Sequence, residues 1–128
     1  MAGALSLLNE VNVTSGATAN ITGISSTFNV YKLQFNNVVA DTDDKDLNFR
    51  FTVSGTADSS ANYSYGAMEL RDDFTFGERN ATGSTYLPVN VSGQGTNTGE
   101  SCNGNIYAFN HANAGDFSFV TMEIVSED

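Results

Sequence analysis

The sequence predicts an all-β, single-domain protein, and more specifically a jelly-roll-like antiparallel β-sandwich of about eight strands. Apolar side chains recur at every second position, and turn-forming residues separate the apolar segments. No window has the period of about 3.6 residues that is typical of an amphipathic helix. A chain of 128 residues suits one such domain, residues 1–128, and no internal repeat or linker divides it.

The alternation is clearest in residues 28–35 and 47–54. An extended strand points successive side chains to opposite faces, so each segment is expected to turn one face to a core and one to solvent. In the second segment the four residues predicted to face the core are Leu47, Phe49, Phe51 and Val53.

Six further segments have strand-like composition. They are residues 5–13, 17–22, 63–70, 85–91, 102–109 and 117–125. Segment 117–125 is apolar at both parities, which predicts that both of its faces are covered. Pro88 cannot donate a backbone hydrogen bond, so its segment is predicted to be a sheet edge or to contain a bulge. Residues 93–99 and 110–115 are rich in Gly or Asn and are predicted to be flexible tips.

The formal net charge is −10 and the isoelectric point is about 4.1. Such a surface repels phosphate backbones and anionic headgroups, so neither nucleic acid nor membrane is an expected partner. The N-terminus lacks the basic residues of a signal peptide, and no apolar stretch is long enough to span a bilayer.

One acidic loop contains carboxylates that are closely spaced enough to suggest a weak Ca²⁺ candidate. They are Asp41, Asp43, Asp44 and Asp46. The order resembles the start of an EF-hand loop, but Asp46 stands where that loop needs glycine, and Thr52 where it needs glutamate. We therefore predict a solvated hairpin tip, and no resident metal or cofactor.

The sequence offers little for catalysis, and we predict a protein that is not an enzyme. His111 is the single histidine and Cys102 the single cysteine, which is too few protein ligands for a structural zinc site. Cys102 is predicted to be a buried free thiol. Four nearby carboxyl groups, those of Glu69, Asp72, Asp73 and Glu78, leave a secreted lectin-like or glycan-hydrolysing module as an alternative.

Two apolar groups of residues are predicted to form an interface. Phe74 and Phe76 alternate between charged residues, in a segment that must bury them somewhere. The N-terminal strand supplies the second group, Leu5, Leu7, Leu8 and Val11. Tyr63 and Tyr65 share one strand face and are predicted to lie in the core instead.

Several segments together resemble a known family. They are residues 4–8 with 17–21, residues 23–33 with 37–43, and residues 101–110. These are similar to the strand and turn motifs of short virion-associated proteins of tailed phages, frequent among marine cyanophages. The chain departs from that pattern with His111 in place of the usual proline and Phe28 in place of tyrosine, both at packing or turn positions.

The resemblance implies a structural subunit on the external surface of a phage particle, made in the cytoplasm of the bacterial host. The main hypothesis is a capsid decoration or cement protein, whose partners are the phage capsid or other virion proteins and which forms a homo-oligomer, with a trimer as one form. The alternative is a tail-fibre or receptor-binding protein that contacts a host glycan through residues 92–100 and 110–115.

Overall fold

The computed structural model describes residues 5–112 and 115–127. Ala4 of the first family motif and residues 113–114 of the predicted loop 110–115 lie outside the described residues. Within the described ranges the protein is all-β, as predicted, with no helix and therefore no helical segment that could cross a membrane.

The described residues form nine strands, numbered along the chain. They are β1 Val30–Val38, β2 Asn48–Phe49, β3 Thr52–Val53, β4 Thr56–Ala57, β5 Tyr63–Leu70, β6 Phe76–Ser84, β7 Leu87–Pro88, β8 Cys102–Phe109 and β9 Phe119–Ser126. Every pairing is antiparallel. One sheet has three strands in the order β1-β8-β9, and three two-stranded sheets pair β2 with β7, β3 with β4 and β5 with β6. The strands are thus divided among four small sheets.

The three-stranded sheet holds most of the core. Its strands are in register so that Leu33, Ile106 and Met122 lie side by side on one face. Ile106 is 2% exposed and Cys102 fully buried on the same face. Gly104 lies between Phe35 and Ile124, and a β-carbon there would come within 2.6 Å of the Glu123 carbonyl oxygen and of the Ile124 side chain. The close approach of the strands therefore depends on this glycine.

Amide side chains tie the residues after β7 to the rest of the protein. Asn90 accepts a hydrogen bond from the Leu47 backbone N–H at 2.8 Å, and the Gln94 side chain donates to the Val38 carbonyl. Asn90 and Gln94 are 3% and 2% exposed. The prediction of a flexible tip is therefore wrong for the start of residues 93–99, because a buried amide there satisfies backbone groups that would otherwise lack partners.

Several predicted strands are corrected by the structure. Residues 5–13 and 17–22 form no strand, residues 85–91 reduce to β7, and β6 was not predicted. Residues 47–54 divide into β2 and β3 because Phe51 bonds outside a strand ladder. Its backbone N–H donates to the Tyr63 hydroxyl at 3.2 Å, and its carbonyl accepts from the Asp58 backbone N–H at 2.8 Å. These two bonds take the place of strand-to-strand backbone hydrogen bonds at the middle of the segment.

Two burial predictions were also wrong. Leu47, Phe49 and Phe51 are half-buried as expected for an inward face, but Val53 is 65% exposed. The outer face of β9 is not covered either, since Phe119 and Val125 remain largely exposed. Pro88 lies in a two-stranded sheet, in which every strand is an edge, as predicted for it.

An aromatic cluster joins the loop after β8 to β1 and to the segment between β2 and β3. The His111 ring stacks on Phe51 at a centroid distance of 5.6 Å and meets Tyr31 edge-on at 4.9 Å. Both ring nitrogens of His111 are shielded from solvent and have no hydrogen-bond partner among the described residues. Burial lowers the pKa of His111, because the charged imidazolium would lose its hydration.

We expect Ile106→Ala to lower the free energy of unfolding by about 2–5 kcal/mol, since it leaves a cavity at the centre of the three-stranded sheet. The matched control, Val53→Ala at an exposed site, should change it by less than about 0.5 kcal/mol. Urea denaturation of the two variants measures both values. Equal losses would show that the core is not centred on β8.

The His111 ring should make the protein less stable in mild acid. The unfolded chain takes up a proton at this residue near pH 6.5, and the folded protein only at lower pH. The free energy of unfolding should therefore fall as the pH drops below about 6.5. Denaturation between about pH 7 and 5 measures this decline, which His111→Phe should reduce while keeping the ring stack.

The carboxyl groups of Asp58 and Asp73, whose pKa values are lowered by hydrogen bonds from Ser60 and Thr75, act in a separate window. Their contribution is present above about pH 3.9 and is lost as the pH falls further. That loss of stability should be the same in the unchanged protein and in His111→Phe, and it serves as the control. An undiminished decline between pH 7 and 5 in the variant would contradict the assignment to His111.

Candidate interaction surface

The hairpin of β5 and β6 presents an apolar face to solvent. Alternate residues of β5 point away from the protein, and Leu70 lies opposite Phe76 in the register. Met68, Leu70 and Phe76 are 75%, 68% and 68% exposed. On the other face Tyr63 is buried and Tyr65 half-buried, in line with their predicted place in the core.

The turn that connects the strands places one more aromatic ring at the apex. The Phe74 N–H donates to the Arg71 carbonyl at 3.0 Å, and the Arg71 N–H donates to the Thr75 carbonyl at 3.1 Å. This turn holds Phe74 at a φ of 63°, a left-handed conformation that is rare for a bulky residue. Its side chain is 86% exposed. We call Met68, Leu70, Phe74 and Phe76 the hairpin patch.

Polar side chains fix the geometry of the apex. The Asp73 carboxylate accepts hydrogen bonds from the backbone N–H and the hydroxyl of Thr75, at 2.9 and 2.6 Å, and these bonds lower the pKa of Asp73. An Asp that binds the backbone two residues ahead stabilises a turn locally. Phe74 lies between Asp73 and Thr75, so the hydrogen bonds between these two residues fix its position.

The end of β5 next to the turn is hydrogen-bonded to the segment that follows β7. Glu69 accepts from the Arg71 guanidinium at 3.0 Å and from the Ser92 hydroxyl at 2.8 Å. Gly77 is opposite Glu69 in the register, and a β-carbon there would come within 2.8 Å of the Glu69 carboxylate. The ion pair and the glycine therefore occupy the protected face, and the hairpin patch occupies the other.

The charge around the patch is negative. Asp72, Asp73 and Glu78 are exposed. The two arginines of the hairpin are engaged elsewhere, Arg71 with Glu69 and Arg79 with Asp46 at 2.8 Å. An apolar patch with a carboxylate rim is complementary to an apolar pocket with a basic rim.

The N-terminal residues predicted to be an interface are likewise uncovered. Leu5 and Leu7 are 87% and 79% exposed, and Leu8, Val11 and Val13 are exposed to a lesser degree. The segment is held by the Asn9 side chain, which donates to the Thr22 hydroxyl at 2.7 Å and to the Thr22 carbonyl at 3.2 Å. It is rich in apolar residues and has no strand partner among the described residues.

The acidic loop is not assembled into a metal site. No group of three or more His, Cys, Asp or Glu side chains in the described ranges is arranged to hold an ion. Of the four candidates Asp41, Asp43, Asp44 and Asp46, the last forms the ion pair with Arg79. The loop side chains are exposed, as predicted, but the loop is not the tip of a hairpin, because β1 pairs with β8 and β2 pairs with β7.

The residues considered for catalysis lie apart. Cys102 begins β8 and His111 follows its end, so roughly 23 Å of strand separates them. The thiol is buried and free, as predicted, and burial raises the pKa of Cys102 to about 11. Glu69 and Glu78 occupy adjacent rows of the β5–β6 register, and their side chains therefore point to opposite faces of the hairpin.

One feature was missed at the level of sequence, a groove of about 970 Å³ between β5 and β9. It is also lined by residues 87–91 and by Phe51, Asp58, Asn62, Phe117 and Ser118. We call it the edge groove. The alternation in residues 63–70 and 117–125 indicated each strand, but alternation does not say which strands become neighbours. Only the topology shows that these two lie on either side of a gap.

A scan against protein-family models found no model that matches this chain. Searches of curated proteins and of solved structures likewise found no match. The likeness to phage virion proteins therefore stays an expectation from the motifs.

Proposed function

We propose that this protein is a non-enzymatic structural subunit of a bacteriophage particle, and most specifically a capsid decoration protein that docks on the head lattice through the hairpin patch. The observation that carries the proposal is Phe74, an exposed aromatic ring held at a positive φ at the apex of a hairpin. The family motifs supply the viral setting, and the hairpin patch supplies the means of attachment.

The conformation of Phe74 is costly in the free protein. A bulky residue in the left-handed region costs of order 1–3 kcal/mol, and such strain clusters at functional sites. The ring also remains in water, although burying one aromatic side chain stabilises a protein by about 1.5–3 kcal/mol. A partner that covers the ring gives this arrangement a function, since aromatic anchors dominate the energy of protein interfaces.

The two Phe rings of the patch offer on the order of 200–400 Å² of surface to a partner. Leu70 and Met68 extend it along the hairpin, while Asp72 and Glu78 form its rim. The complementary partner is a protein surface with an apolar pocket and basic side chains around it. One such contact is modest in area, and many copies on a regular lattice bind by repetition of it.

The proposal includes the β-sandwich. Antiparallel pairing and the absence of helix in the described residues support it, and the small sheets β2–β7 and β3–β4 are suited to form a second layer against the larger one. A decoration protein of this kind presents sheet faces and turns, and the hairpin patch includes an exposed turn residue, Phe74.

A receptor-binding tail protein is the alternative, and the packed state of Gln94 weighs against it. That residue lies within the loop 92–100 that would contact a glycan, yet it is 2% exposed and bonded to β1. A loop held in this way has fewer side chains free for recognition.

We expect the double variant Phe74→Ser/Phe76→Ser to fold normally and to lose attachment to the particle. Removing two aromatic anchors should weaken docking at least about tenfold per site. The measurement is occupancy on purified particles at equal protein concentration, with circular dichroism as the test of folding. The matched control is Val39→Ser/Val53→Ser, two similarly exposed apolar sites outside the patch.

Full occupancy by the Phe74/Phe76 variant would remove the hairpin patch from the interface. Equal loss in the control would show that general surface hydrophobicity, and not this patch, drives attachment.

The copy number separates head from tail. A decoration protein repeats over the lattice, so we expect on the order of hundreds of copies per particle, where avidity compensates for a weak contact. Quantitative mass spectrometry against the major capsid protein measures the ratio. A handful of copies would favour the tail, and the absence of the chain from particles would reject the viral proposal.

A further inference from the structure

The edge groove is bounded by strand edges. All eight residues of β5 line it, as does every residue of β9 except Glu123. Successive side chains of a strand point to opposite faces, so a groove that is lined by consecutive residues runs along the backbone edge of each strand. β9 is the outer strand of its sheet, and β5 pairs only with β6 in the described part of the chain.

The groove therefore separates two sheets. On one side the order is β1-β8-β9, and on the other it is β5-β6. Both bounding strands have eight residues, which corresponds to about 26 Å at the rise of an extended chain. An unpaired edge of this length is a template for another strand.

The side chains along the gap suit an apolar strand. Val120, Met122 and Ile124 of β9 and Tyr65 and Ala67 of β5 line the groove and are only half-buried. Adding a strand between them would cover these side chains and supply the missing backbone hydrogen bonds.

The chain contains one segment with the properties of such a strand. Residues 5–13 have apolar side chains at four of five odd positions and polar ones at three of four even positions, with Asn9 and Leu8 as the exceptions, which approaches the pattern of a half-buried strand. The segment is apolar, exposed and unpaired. Nine extended residues cover about 30 Å, which matches the length of the groove.

Charge favours the same segment. The protein has a net charge of −10, so two copies repel each other across most of their surfaces. Between Leu5 and Tyr31 the single charged residue is Glu10. This is the part of one copy that approaches the acidic surface of another at the lowest electrostatic cost.

We propose that residues 5–13 of one copy insert as a strand into the edge groove of a second copy, between β5 and β9. The insertion makes one continuous six-stranded sheet, β1-β8-β9-insert-β5-β6. Main-chain hydrogen bonds on both sides of the insert provide affinity, and its alternate side chains provide the register. The inference is independent of the viral proposal and holds for any setting in which the copies meet.

The area is sufficient for a stable dimer. A segment about 30 Å long and about 10 Å deep presents on the order of 300 Å² to each neighbouring edge. Reciprocal exchange between two copies then buries about 1,200 Å² per partner, above the roughly 800 Å² of a standard interface. In its own copy the segment lies outside the groove, held by Asn9 and Thr22.

The test compares the full chain with a variant that lacks residues 1–13. Light scattering with size-exclusion chromatography should find the full chain assembled at about 100 µM, a hundredfold above a micromolar Kd, and the deletion variant monomeric. The deletion variant should bind a synthetic peptide of residues 5–14, whereas a peptide of the same composition without alternation should bind at least about tenfold more weakly. Fluorescence anisotropy measures both peptides.

A groove variant checks the location. Ala67→Glu places a carboxylate in the groove and should abolish both assembly and peptide binding, while Thr82→Glu, at an exposed position of β6, should change neither. Circular dichroism shows whether each variant folds. If Ala67→Glu does not fold, peptide binding by the deletion variant decides whether the groove accepts the segment.

Two results overturn the proposal. A monomeric full chain, combined with peptide binding by the deletion variant, means that the segment fills the groove of its own copy. A deletion variant that fails to bind the peptide means that the groove does not accept this strand. Loss of assembly on deletion together with alternation-dependent peptide binding supports exchange between copies. Particle occupancy is not a readout here, so failure of the viral proposal leaves these outcomes unaffected.

Discussion

The structure depends on the pairing of β8 with a neighbour on each side. Its central residues, Ile106 and Ala108, are buried because β1 and β9 flank them in register. The Gly104 position lets β9 come close enough for the side chain of Ile124 to lie against the strand. Around this sheet the other pairings are short, and β5–β6 is the one long hairpin that stands outside it. The three-stranded sheet is thus the main support of a fold whose other sheets have only two strands each.

The alternation of apolar and polar residues predicts strands well where the pairing partner is close in the structure. Residues 63–70 and 102–109 became strands with the predicted bounds. Residues 5–13 alternate less regularly, since Leu8 and Asn9 break the pattern, and they form no strand because they pair with no strand edge among the described residues. β6 was missed for the opposite reason, since Gly77, Arg79 and Ala81 of its inner face give it no apolar period, and its partner β5 determines its conformation.

The candidate sites also differ in whether local sequence or distant contacts determine them. Phe74 and Phe76 were predicted to be an interface from composition, since two Phe among charges need a partner, and their exposure agrees with that reasoning. The positive φ of Phe74 was not predictable, because it arises from the hydrogen bonds of Asp73 and Arg71 around it. The edge groove was not predictable either, because it is a relation between two strands that are distant in sequence.

Exposed apolar residues and strong acidity have one physical explanation in common. An apolar patch on a neutral protein promotes indiscriminate association, whereas a net charge of −10 keeps free copies apart. Several of the most exposed apolar residues lie at two places, the hairpin apex and the N-terminal segment, and the segment carries a single charge. Repulsion at long range falls off over about 8–10 Å at physiological salt, while burial acts only at contact. Under both proposals, the charge keeps copies apart until a surface of the right shape meets one of these two places, and raising the ionic strength weakens the repulsion without weakening the apolar contact. The acidity then sets when the proposed association occurs, and the two apolar segments set where.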